Sequence, residues 1–105
     1  MVIARGLVQQ AELAKAIGEI KPLLGSDVVS LSYKLGEDWS GDSSVFFRVV
    51  LSDQASDRSE LLTATSRIAS VVVEHLQPLE QWGLLPYFNY RSRAEQAARS
   101  KDDWA

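Results

Sequence analysis

Three carboxylates and an indole fall within seven residues at Gly36-Glu37-Asp38-Trp39-Ser40-Gly41-Asp42. Hard divalent cations take several oxygen ligands, so Glu37, Asp38 and Asp42 are the metal-site candidates, able to hold Mg²⁺ at a strand end with Arg48 on a phosphate. The same letters describe a solvated hairpin tip whose Asp side chains bond the neighbouring backbone, and this simpler reading is preferred. His75 is the only histidine and cysteine is absent, which removes multi-imidazole and thiolate metal sites, disulfides and cysteine nucleophiles together. Beside Val72 and Leu76, His75 is expected to be partly buried or favoured by a helix C-terminal dipole. No Gly-x-Ser-x-Gly elbow and no glycine-rich phosphate loop occurs, so no catalytic residue and no cofactor is assigned.

A second group is the aromatic run Tyr87, Phe88, Asn89, Tyr90 leading into Arg91 and Arg93. Aromatic rings beside guanidinium groups on a sheet can stack bases and hold phosphates, the arrangement of single-stranded RNA binders. Tyr, Phe and Arg are equally the residues that concentrate binding energy in protein interfaces. The chain carries 11 Lys and Arg against 14 Asp and Glu, a net charge of −3, and lacks the concentrated basic face that counterion release requires. A protein partner is therefore favoured over nucleic acid for this segment. A plain core role for one face of the run, with Arg91 solvated, is the baseline.

The elements that must position these groups follow from periodicity. Leu13, Ile17, Ile20 and Leu24 recur at helical spacing, predicting a first helix from Val8 to about Lys21, weakened at Pro22 and ended near Gly25. Val29, Leu31, Tyr33 and Leu35 alternate with polar residues, and Val45, Phe47, Val49 and Leu51 share one face opposite Phe46, Arg48 and Val50, predicting two strands joined through a long tip at 36–44. Asp57 followed by Glu60 reads as a capping box opening a long helix with an apolar line through Leu61, Ile68, Val72, Leu76 and Leu79, stopped by Pro78. Leu84 to Arg91 reads as a third strand, which Pro86 either holds to a sheet edge or delays until just after itself. Ser92 with Glu95 opens a short last helix to about Arg99, and 101–105 is expected to fray around Trp104.

With 105 residues the chain makes one domain, and the order α-β-β-α-β-α predicts a two-layer α+β sandwich with the helices on one face of a small sheet. The other face would carry Ser30, Ser32, Lys34, Phe46, Arg48, Val50 and one alternate set of the third strand. No apolar run is long enough for a membrane span and the first residues have no leader pattern, so a cytoplasmic protein without membrane contact is expected.

Gly25-Ser26, then Gly41-Asp42-Ser43-Ser44 running into Val45 to Leu51, a later helix, and Leu85 to Arg91 resemble small bacterial minimal nucleotidyltransferases of toxin-antitoxin pairs. In that family a Gly-Ser element precedes two Asp residues that hold Mg²⁺, and the partner is a helical protein. Gly25-Ser26 and Asp42 would be the matching pieces, while Ser44 stands where the second Asp belongs. The resemblance thus implies a degenerate, antitoxin-like relative that binds a partner. The leading expectation is a non-enzymatic interaction module, binding another protein or a second copy of itself as a homodimer through Phe46, Arg48, Val50, Tyr87, Tyr90 and Arg91. A Mg²⁺-dependent nucleotidyltransferase-like enzyme and an RNA-binding protein using Tyr87, Tyr90, Arg91 and Arg93 are the alternatives.

Overall fold

Leu13, Ile17 and Ile20 bury one stripe of a helix, and the chain around them folds as their spacing dictates. In the computed structural model, which describes residues 3–99, the order is α1 (Arg5–Val8), α2 (Gln10–Ile20), a 3-10 segment (Lys21–Asp27), β1 (Val28–Glu37), β2 (Ser43–Leu51), α3 (Leu61–Leu76), α4 (Pro78–Trp82), β3 (Leu85–Ser92) and α5 (Arg93–Ala98). This is the expected α+β class, with the two short helices α1 and α4 added. The predicted tail at 101–105 lies outside the described residues. Pro22 tightens the chain into the 3-10 segment, and Gly25, at φ 72° and ψ −161°, takes a backbone conformation closed to side-chain-bearing residues.

The three strands form one sheet in the order β1-β2-β3, with β1 and β2 antiparallel and β2 and β3 parallel. A parallel pair needs a crossover, and α3 with α4 supplies it across one face. That face buries Leu31, Val45, Phe47, Val49 and Leu51 against Leu13, Ile17, Ile68 and Val72, with Phe88 and Tyr90 packed at the side. Each fully buried aliphatic or aromatic side chain stabilises the fold by roughly 1.5–3 kcal/mol. The strands run further into the tip than alternation showed: Gly36 pairs with Ser44 and Glu37 with Ser43, leaving only 38–42 as loop.

Two helix boundaries differ from expectation. The Asp57 capping box does not form; α3 starts at Leu61 with Glu60 in the cap position and no side-chain cap. Ser52 and buried Ala55 pin a turn here, the Asp57 carboxylate accepts from the Ser59 hydroxyl at 3.1 Å, and the Asp57 carbonyl accepts from the Leu61 N–H at 2.9 Å. Asp57 therefore opens a turn ahead of the helix. The buried line of α3 is Ala64, Ile68, Val72 and Leu76, whereas Leu61 and Leu79 are exposed. Pro78 does stop α3, after Gln77 in a left-handed conformation, but it also occupies the first position of α4, where a missing N–H costs nothing.

α4 ends at Trp82, which is buried and carries the Arg5 guanidinium over its ring at 4.3 Å. Gly6 of α1 packs so closely on fully buried Leu84 that any Cβ there would displace it. No helix among the described residues is long and apolar enough to cross a membrane.

Candidate functional site

The register sets out the second sheet face rung by rung. Lys34, Phe46 and Tyr87 share one rung, Ser32, Arg48 and Asn89 the next, and Ser30, Val50 and Arg91 the one after. The ladder therefore selects Tyr87, Asn89 and Arg91 as the third-strand set for this face. Tyr90 points the other way: half-buried among the helices, its hydroxyl donates to the Thr65 carbonyl at 3.1 Å, and burial pushes its phenol up to about 12. Its expected place in the binding surface is corrected on that geometry.

Val50 and Arg91 also leave the exposed surface. The Ser92 capping box forms in full, its hydroxyl accepting from the Glu95 N–H at 3.1 Å while the Glu95 carboxylate accepts from the Ser92 N–H at 3.0 Å. Those bonds to Ser92 hold the Glu95 carboxyl below its ordinary range. The chain is thereby turned so that α5 lies against β3 and β2. Val50 is 5% and Arg91 4% exposed, and Arg91 Nη1 donates to the Gln96 side-chain oxygen at 3.2 Å. The open face thus ends at the Arg48 rung. Arg93 is exposed at the start of α5, and His75 is exposed in the last turn of α3, remote from this face in the fold.

Above the Lys34 rung stands the loop. Asp38 Oδ1 accepts from the Ser40 hydroxyl at 2.7 Å, the Ser40 N–H at 2.9 Å and the Asp42 N–H at 3.0 Å, and Gly41 completes the turn at φ 87°. Its other oxygen accepts from the Tyr87 hydroxyl at 2.8 Å. The bond from Ser40, aided by those from Tyr87 and the backbone, lowers the Asp38 carboxyl to about 2, and the bond to Asp38 raises the Tyr87 phenol. Asp38 is consequently a structural acceptor. Glu37, Asp38 and Asp42 do not converge as a metal site; among the described residues no group of three or more such side chains does. Gly25 and Ser26 precede β1 and Asp42 follows it, so these pieces sit at opposite ends of a ten-residue strand.

What the loop does assemble is an aromatic ladder. Tyr87 stacks on Phe46 with centroids 5.4 Å apart and planes at 17°, and Trp39 meets Tyr87 edge-on at 5.6 Å and 62°. Trp39 is 87% exposed. Beside the ladder a cleft of about 400 Å³ is lined by Lys34, Gly36, Glu37, Phe46, Arg48 and Asn89. Neither cation there forms an ion pair with a described residue, although Glu37 lines the same cleft; the ion pair among the described residues is Arg67 with Asp27, at 2.9 Å. Of the six residues expected to bind a partner, the structure gathers Phe46, Arg48 and Tyr87, and adds Trp39, Lys34 and Asn89. Trp39 carried a signal, an indole in a polar tip facing an aromatic strand. Asn89 had none without the register.

Comparison of the chain with protein-family models, curated proteins and solved structures returns no match.

Proposed function

We propose that this is a non-enzymatic, cytoplasmic interaction module that binds a polypeptide on its open sheet face. One observation carries the reading: on the open face exposed Trp39 edges the half-buried Tyr87-Phe46 stack, which the Tyr87 to Asp38 bond already orders, with Lys34 and Arg48 beside it and in no ion pair among the described residues. Aromatic and Arg side chains held in place before association lose little freedom on binding, which is the property of interface hot spots. An antitoxin-like relative of the nucleotidyltransferase type fits such a role, with partner binding in place of catalysis. RNA is a poorer occupant, since Asp38 stays ionised to about pH 2 against the very ring a base would stack on.

The test is isolation of the tagged protein from its native cells, with sedimentation of the purified chain, for wild type and Phe46→Glu. The expected result is a stoichiometric polypeptide association, hetero- or homomeric, lost in Phe46→Glu while circular dichroism stays unchanged. Equal association by the two proteins, or none by either, overturns the proposal.

A further inference from the structure

We infer that the occupant of the open face is a second copy of this chain, related by a twofold axis through the face, with Trp39 of each copy seated in the other's cleft. The inference rests on the interaction-module reading and names its partner. A twofold interface uses one patch on both sides, so every projecting group must find its complement on that same patch. This face meets the condition in shape. Trp39 projects at 87% exposure, and beside its ladder lies a cleft of about 400 Å³, within the range that accepts a small-molecule ring.

The face meets it in charge as well. Lys34 and Arg48 outnumber the one carboxylate lining the cleft, Glu37, and neither is in an ion pair among the described residues, while the loop carrying Trp39 is acidic. Asp38 is committed to Ser40 and Tyr87, but the Asp42 carboxylate has only the Ser40 hydroxyl, at 3.0 Å, and is exposed. Seating the Trp39 loop in the partner's cleft sets the indole against a guanidinium and Phe46 and brings Asp42 to the cations. Stacking of Arg on an indole and pairing of Asp with Arg both favour this register. A face only three strands wide, shortened by α5, gives a small contact and hence a reversible dimer.

Sedimentation equilibrium between roughly 1 and 500 μM tests this on wild type, Trp39→Ala, Arg48→Glu, Asp42→Arg, and an equimolar mixture of the last two. Wild type is expected to dimerise. Trp39→Ala and each charge variant alone should weaken the dimer about tenfold or more, while the mixture recovers affinity because both pairs again join opposite charges, one in its native form and one swapped. Trp39 and Asp42 are exposed, so these variants keep the fold, which urea midpoints verify. A wild-type dimer indifferent to all three substitutions overturns the inference, as does a wild-type monomer throughout the range. In the monomer case, a stoichiometric partner lost in Phe46→Glu leaves the module reading standing with another occupant. Salt-sensitive binding of a labelled oligouridylate assigns the face to RNA, and no association of any kind removes both proposals.

Discussion

Two adjacent rungs of the same sheet carry nearly the same aromatic pair on opposite faces. Phe47 stacks on Phe88 with centroids 5.1 Å apart and planes at 22°, and Phe46 stacks on Tyr87 at 5.4 Å and 17°. The first pair lies under the helices, with Phe47 fully buried; the second is half-buried on the other face and is edged by Trp39. Identical backbone geometry thus serves two ends. On one face the rings supply folding energy, and on the other they stay half-buried and part of that energy is not drawn on.

The comparison is broken most severely at Phe47. Phe47→Ala should cost about 3–5 kcal/mol, read from the urea midpoint, because it empties the centre of the core. Phe46→Ala should cost only about 1 kcal/mol on the same measurement, since its ring already keeps part of its surface in water. Near-equal losses would mean that the two faces are not energetically distinct.

A smaller effect is expected at the closed end of the open face. Ser92→Ala removes the cap of α5 and should cost about 1 kcal/mol. Its clearer sign is faster amide exchange in α5 with β2 and β3 unaffected, as the cover over Val50 and Arg91 loosens. Unchanged exchange would show that α5 is held by other contacts.

The smallest effect on stability, and the most local, is at Tyr87. Asp38 has its carboxyl lowered to about 2, so the charged form is favoured in the fold; the order this confers on the loop is complete above about pH 4 and is lost as pH falls through about 2. Trp39 emission should follow that titration. Tyr87→Phe removes one donor and should move the midpoint upward with little change in melting temperature. A midpoint unmoved by Tyr87→Phe would mean that the Tyr87 bond contributes nothing to holding Asp38 ionised.

Much of the covered face was legible. Over Val45 to Leu51 the uninterrupted apolar set Val45, Phe47, Val49 and Leu51 marks the covered face, because the alternate set Phe46, Arg48 and Val50 is broken by Arg48. In Tyr87 to Arg91 every position is bulky, so alternation alone does not say whether Tyr87 or Tyr90 faces the helices. That choice is made by parallel pairing with β2, a non-local relation that places Phe46 beside Tyr87 and Val49 beside Tyr90. The Ser92 box was readable as a helix start, but where the helix would lie was not, and so Val50 and Arg91 were assigned to the surface. Pro78 was readable as a stop. Its second role, starting α4, depends on Gln77 taking the left-handed conformation at φ 49°.

The β2 and β3 pairing also has a consequence in time. The β1 and β2 hairpin closes a five-residue loop at 38–42, whereas Ser44 meets Leu85 only after a chain segment of about 40 residues has been folded back. Contacts of such long range are entropically costly to make before their neighbours exist, so the hairpin can form early and β3 joins late. Phe46 is therefore in place on the early half and Tyr87 arrives with the late one. Chains in which β3 has not yet joined present Phe46 and Trp39 without the ring that orders them, so the aromatic ladder is a property of the finished molecule alone.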